Sequence, residues 1–416
     1  MRLPGRRHPR WLLSAAALWM LAPAAAAQGK SEPIVIGTKT TLRSKVLKES
    51  RPVWIHVPAG YDKLPGQRFP VIYLLDGDEH FTELTGIVQR LAGNGRMPDA
   101  IIVALPNTTD RTFDLTPPAA SDSSRFPWYR GARDSVAQRF KTRGGADRFL
   151  SFITTELTPW VDAKYRTAPY RILIGHSFGG LFVLNALARE PGSFRSYVAL
   201  SPSLWWDDGR YLATLEQQLA HASLAGRSLY MTTGGSELEG EMIAPARALA
   251  ANLATGQVPG FQSWYRVMPG EEHNTNPHRS TYDALETIFS GWAAHDSLFL
   301  RLAATGDSMP LVAHFAALSK RVGFEVPVPV AAVNDLGHFI LQLGRVDDAL
   351  RLFRFSAAHS PGVASVHDAL ADGLESAGRR DDAMRAMEEA VRLADAAHDA
   401  SAAGYRKRLA RLRRGR

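Results

Sequence analysis

"RILIGHSFGGLFVLNALAR", residues 171–189, decides how this chain is read. Its opening residues are apolar and β-prone, the pattern of a strand buried on both faces. Its closing residues set Leu181, Leu184 and Leu187 at helical spacing. Between them stands G-H-S-F-G, with Gly175 and Gly179 leaving room for a tight turn. The five-letter string is weak evidence in isolation, because serine and glycine are common. On a strand-to-helix turn it becomes a nucleophile elbow, which lifts a serine hydroxyl to the top of a sheet. Ser177 is therefore the candidate nucleophile. The competing reading is a plain glycine-rich turn in some other α/β protein.

Outward from the elbow, apolar β-prone runs alternate with helical ones. Residues 33–57 alternate as two antiparallel strands would. "FPVIYLLDGD" (69–78), "DAIIVALPN" (99–107), "SYVALSPS" (196–203), "SLYMTTGG" (228–235) and "SWYRVMPG" (263–270) read as further strands. Helical spacing covers 146–165, 209–222, 242–255 and 278–303, and 108–146 reads as one long loop region. Strands alternating with helices predict a mostly parallel sheet covered on both faces.

The ends differ from the body. "MRLPGRRHPR" carries four arginines and no acid. The apolar run after it ends in Ala25-Ala26-Ala27, a small-residue cleavage pattern. Residues 1–27 read as a secretory signal peptide cleaved after Ala27, the alternative being an N-terminal anchor. The chain has no cysteine, which excludes disulfides and N-terminal lipidation and suits a periplasmic or secreted bacterial protein. Four of the basic residues lie in 1–27 and seven in 406–416. Without those eleven the net charge of +8 becomes about −3. No basic stripe interleaved with aromatics marks the body, so nucleic acid is not an expected partner.

After about residue 305 strand signals stop. "LGRVDDALRLF" (343–353) returns as "AGRRDDAMRAM" (377–387), with Gly344/Gly378, Asp347/Asp381 and Ala349/Ala383 all offset by 34. That period with helix-turn-helix patterning is tetratricopeptide-like. Residues 28–305 are thus expected to form an α/β-hydrolase sandwich. Residues 306–416 are expected to form a small all-α domain with a basic last helix, able to hold a protein partner.

A serine nucleophile needs a base, and the base needs an acid to orient it. In an α/β-hydrolase they follow in the chain order Ser, acid, His, on loops after successive strands. His273, in "VMPGEEHNTNPH", is the candidate base, with His278 as the alternative. The loop after 228–235 offers only glutamates: Glu239 is placed ahead of Glu237, and Glu241 falls on the next helix. If all three merely start a helix, a Ser–His dyad remains. The oxyanion hole is assigned to the N–H groups of Phe178 and Asp78. Trp205 and Trp206 are candidate walls of a substrate pocket. Arg111 is a candidate contact for an anionic substrate group, with a structural ion pair as the plainer role. His176 is read as a packing or elbow residue, wrongly oriented to be the base. No metal site and no cofactor motif is found.

Taken together, "FPVIYLLDGDEHF", "DRTFDLTP", "ILIGHSFGGLF", "SPSLWW" and "MPGEEHNT" resemble the esterases related to the enterobactin (enterochelin) esterases, and also esterase D and the mycolyltransferase antigens. The resemblance covers roughly 33–300, and the tail is similar to a helical-repeat extension of some members. It implies Ser177 as nucleophile and His273 as base. It leaves Glu237 and Glu239 open and does not name the substrate. The expected activity is an exported serine esterase working through a Ser-His-Glu triad and an acyl-enzyme, with siderophore esters as candidate substrates. An acyltransferase with the same triad, or a non-catalytic hydrolase-like binding protein, are the alternatives.

Overall fold

The computed structural model describes residues 33–414 apart from 63–65, 109, 120–141 and 257. The signal-peptide reading of 1–27 and most of the long loop expected at 108–146 lie outside the described residues. The chain divides after Val35. Of the first unit only 33–35 are described, and they are exposed. Ile36–Arg416 is one compact unit.

Among the described residues, strands β1 (Thr38–Arg43), β2 (Ser50–His56), β3 (Phe69–Leu75), β4 (Ile101–Leu105), β5 (Thr167–His176), β6 (Ser196–Leu200), β7 (Ser228–Gly234) and β8 (Gln262–Met268) form a single sheet. Its order is β1-β2-β4-β3-β5-β6-β7-β8. β1 and β2 join antiparallel, and the run from β4 to β8 is parallel throughout. This is the mostly parallel α/β-hydrolase sheet expected from the alternation of strand and helix signals.

Among the described residues the helices are α1 (Gly77–Gly93), α2 (Arg111–Leu115), α3 (Ala146–Phe152), α4 (Thr158–Lys164), α5 (Phe178–Arg189), α6 (Arg210–His221), α7 (Ala244–Thr255) and α8 (Asn276–Ile288). Beyond them come α9 (Asp296–Thr305), α10 (Met309–Val322), α11 (Val330–Gln342), α12 (Val346–His359), α13 (Ala364–Ser376), α14 (Arg380–Ala396) and α15 (Ala402–Arg414). Three boundaries differ from expectation. α2 lies inside the expected loop. The helix expected over 278–303 is two helices, α8 and α9, with Gly291 at φ 69° between them. The helix over 146–165 widens into a π-helical turn at Ile153–Leu157. Pro159 follows that turn and has no N–H to donate, so the hydrogen-bond ladder cannot run through it unchanged.

The period-2 side-chain alternation of β3 divides the core. Phe69, Val71, Tyr73 and Leu75 point to a layer that holds Phe149, Leu181, Leu215 and Leu249 from α3, α5, α6 and α7. Ile72 and Leu74 point the other way, to Leu84 and Leu285 of α1 and α8. This second layer runs on without a break into Phe315, Val333 and Phe353 of the C-terminal helices. Those helices pack on one face of the sheet.

The helical region carries the 34-residue period in its bounds: α11–α12 and α13–α14 start at 330, 346, 364 and 380. Phe353 of α12 is fully buried between two glycines. A β-carbon at Gly337 would come within 2.5 Å of its ring, and one at Gly373 within 2.7 Å. Four cations of α15 are paired with acidic side chains of α13 and α14. Arg408 pairs with Asp368 and Asp372, Arg411 with Glu375, Arg413 with Glu388 and Arg406 with Asp395. Among the described residues no helix is long and apolar enough to cross a membrane.

Candidate active site

Parallel strands end at one edge of the sheet, and the loops beyond those ends assemble the site. β5 ends at His176, and Ser177 follows at φ 59°, ψ −115°, a strained conformation for a non-glycine residue. A β-carbon at Gly175 would overlap the carbonyl oxygen of Gly179, so only glycine lets the chain turn this sharply. α5 begins at Phe178, so its amide lies in the first turn of the helix. Ser177 Oγ lies 3.3 Å from Ser203 Oγ, a buried hydroxyl on the loop after β6.

The residue before the serine does more than pack. His176 is buried, and its Nε2–H donates to the carbonyl oxygen of His273 at 2.8 Å. Their rings lie 4.6 Å apart. Burial, followed by the neighbouring histidines 273 and 80, pushes the His176 pKa down to about 3. His176 is therefore a neutral imidazole with its proton on Nε2. His80 stands edge-on to it at 5.8 Å, with Nδ1 2.9 Å from Glu83.

His273 Nδ1 faces Glu237 Oε1 at 3.5 Å. Glu237 keeps 2% of its side chain exposed, and its Oε1 also accepts the Gly234 N–H at 3.0 Å and the Ser201 hydroxyl. Two loop-to-loop bonds bring the pair together: Gly235 N–H to Met268 O at 2.8 Å, and Ser236 N–H to Glu271 O at 3.0 Å. The preference for Glu239 is corrected. Glu239 opens the next helical turn, is exposed, and pairs with Arg247 at 2.8 Å. The alternative base His278 is mostly exposed and faces Glu83 of α1 at 3.7 Å, away from Glu237.

The loop after β3 supplies the other wall. Asp76 adopts a left-handed φ of 53° and caps α1. Its carbonyl takes the amides of Glu79 and His80, so Asp78 N–H belongs to the first turn, ahead of any helical acceptor. Arg111 grips the buried Asp76 carboxylate with two bonds, Nε to Oδ1 at 2.5 Å and Nη2 to Oδ2 at 2.8 Å. It also donates to His176 O at 3.3 Å. Asn107 adds a bond to Asp76 at 2.8 Å. Burial pushes the Asp76 carboxyl up, but the hydrogen bonds and charge of Arg111, with Asn107 and His176, outweigh it and hold the group below its ordinary value. Arg111 is thus committed to an ion pair that ties the loops after β3, β4 and β5 together.

Of the two tryptophans, Trp206 is fully buried and donates its indole N–H to Pro117 O at 3.1 Å, so it has no face to offer a ligand. Trp205 is half-buried and lies 5.6 Å from the Phe178 ring. Among the described residues no cluster of His, Asp or Glu suits a metal ion.

Sequence reading passed over four residues of this site. Asp76 carries no signal in the sequence beyond its place at the end of a strand run. Ser201 and Ser203 stand just past the end of β6, where polar residues after a parallel strand are a usable signal. Asn276, fully buried, had none.

The sheet and its helices define an α/β-hydrolase fold, and comparison with known proteins gives the family. The family described as "Putative esterase" matches residues 44–284, more than half of the chain, and the chain belongs to it. It is a carboxylic ester hydrolase. It is similar to the ferri-bacillibactin esterase BesA of Bacillus subtilis, 29% identical over 254 residues, 57% of this chain and 84% of that one. It is 32% identical to the siderophore enterobactin esterase of Emericella nidulans over 181 residues, 38% of this chain and 54% of that one, so it spans about half of that relative. The solved IroE-like serine hydrolase of Shewanella oneidensis superposes with a TM-score of 0.64 at 27% identity, covering 77% of this chain and 99% of its own.

Proposed function

We propose that this chain is an exported serine esterase that hydrolyses siderophore-type esters through Ser177, His273 and Glu237. The reading rests most on one contact: His273 Nδ1 lies 3.5 Å from the buried Glu237 carboxylate, beside the strained elbow that carries Ser177. His273 takes the Ser177 proton, and Oγ attacks the ester carbonyl carbon. The negative oxygen sits on the N–H groups of Phe178 and Asp78. His273 returns the proton to the departing alcohol and leaves an acyl-enzyme. It then deprotonates a water that releases the acid and restores Ser177. Glu237 holds the imidazole tautomer and offsets its charge.

Two relatives named for siderophore esters support the substrate class. Export rests on the sequence of residues 1–27. A boundary near 305, with a tetratricopeptide-like extension after it, rests on the 34-residue period of α11 to α14. The test is hydrolysis of a p-nitrophenyl ester series and of a tris-catecholate trilactone by wild type, Ser177→Ala and His273→Ala. The trilactone is expected to be the better substrate, and both variants are expected to fall by about 10⁴–10⁶ in kcat. Full activity of Ser177→Ala would refute the triad. A short-chain ester preferred over the trilactone would refute the substrate class alone.

A further inference from the structure

We propose that Ser201 is a positioning residue for ester hydrolysis, acting on Glu237 through its hydroxyl. The inference rests on the triad reading above and deepens it.

Ser201 follows β6 at φ 42°, in the left-handed region, and is fully buried. It cannot touch a substrate. Glycine would occupy this backbone at lower cost, so the side chain must be explained by what it bonds. Asn276 Nδ2 donates to Ser201 Oγ at 2.7 Å and to Thr232 Oγ1 at 3.2 Å. Asn276 is itself fully buried, and its Oδ1 accepts the Ser280 hydroxyl at 2.5 Å. An amide N–H can only donate, so Ser201 accepts from Asn276 and has one proton left to give. That proton goes to Glu237 Oε1.

The chain of bonds therefore has one direction, from Ser280 through Asn276 and Ser201 to Glu237, and it ends on the carboxylate that faces His273. With the Gly234 N–H it fills Oε1 and fixes the roll of the carboxylate. Glu237 Oε2 is buried without a hydrogen-bond partner among the described residues. His273 Nδ1 approaches the same carboxylate on its Oε1 side, at 3.5 Å.

The experiment compares Ser201→Gly and Ser201→Ala, each alone and in a Glu237→Gln background, using p-nitrophenyl ester kinetics and thermal melting. Ser201→Gly removes the hydroxyl and relieves the strain, whereas Ser201→Ala removes the hydroxyl and keeps the strain. A hydrogen bond to a charged group predicts a loss of about 10- to 100-fold in kcat for both, with KM within about 2-fold. Ser201→Gly is expected to melt no lower than wild type. In the Glu237→Gln background neither change is expected to lower kcat by more than about 2-fold, because the residue acts through Glu237. Full kcat in both single variants would overturn the proposal, as would an undiminished loss in the Glu237→Gln background. If Glu237→Gln itself keeps full activity, the triad reading fails. If it loses activity while the Ser201 variants do not, only the present inference fails.

Discussion

His176 donates its Nε2–H to the carbonyl oxygen of His273 at 2.8 Å, so the residue before Ser177 holds the backbone of His273. The bond spans loops that are 97 residues apart in sequence. It fixes how far His273 stands from the elbow, a distance on which proton transfer depends. His176→Leu should lower kcat by about 10-fold or more with little change in KM. His176→Gln can keep a donor near the same position and should retain more of the rate. Steady-state kinetics on a p-nitrophenyl ester checks both.

The same residue predicts an acid sensitivity. Its pKa is about 3 in the fold against an ordinary 6.5, so the unfolded chain binds a proton there before the native one does. The stability it contributes is complete above about pH 6.5 and falls as pH drops toward about 3, with a slope of up to about 1.4 kcal/mol per pH unit. Urea unfolding of His176→Gln between pH 7 and 4 should show a shallower decline than wild type.

The two glutamates should separate cleanly. Glu237→Gln removes the charge facing His273 and is expected to cost about 10³- to 10⁴-fold in kcat. Glu239→Gln breaks only an exposed pair with Arg247, which is worth less than about 1 kcal/mol, and should leave activity and melting temperature nearly unchanged. Equal losses in the two variants would refute the assignment of Glu237.

Arg111 and Asp76 hold the loops that frame the elbow. Arg111→Met leaves a buried carboxylate uncompensated. The expected cost is about 2–3 kcal/mol, below the range for a wholly buried pair because Arg111 keeps 31% of its side chain exposed. Arg111→Met combined with Asp76→Asn should recover part of that stability, measured by denaturant unfolding. No recovery would mean that Arg111 contributes mainly by packing on Phe178, which lies 5.7 Å away.

The C-terminal helices should respond to their central ring. Phe353→Ala opens a cavity between Gly337 and Gly373 and is expected to cost about 3–5 kcal/mol. Gly337→Val should also destabilise, by driving side-chain atoms into the same ring. Hydrogen exchange is expected to rise first in α11 to α13.

Much of this molecule was legible in local pattern. A strand, an elbow and a helix were readable from 171–189 because apolar period, glycine spacing and turn chemistry are properties of adjacent residues. The helix pairs α11–α12 and α13–α14 were readable from a repeat at 34 because equal packing positions call for equal residues. Break points were less legible. Gly291 divides a continuous-looking helical signal, and the π-helical turn before Pro159 left no mark in periodicity.

Other features depend on distance in space. Glu237 and Glu239 are alike in a sequence window, since both follow a parallel strand. They differ because bonds from Ser236 to Glu271 and from Gly235 to Met268 pull one of them under His273 and leave the other on the surface. Arg111 looks like a free cation until Asp76, 35 residues earlier, is seen to hold it. Trp205 and Trp206 are neighbours with opposite fates because Pro117, from another loop, closes over one of them. Local periodicity encodes which elements form and in what order. Which side chains share a buried carboxylate or a lone pair is set only when separate loops are brought to one sheet edge, because hydrogen bonds and ion pairs act over a few ångströms and take no account of sequence separation.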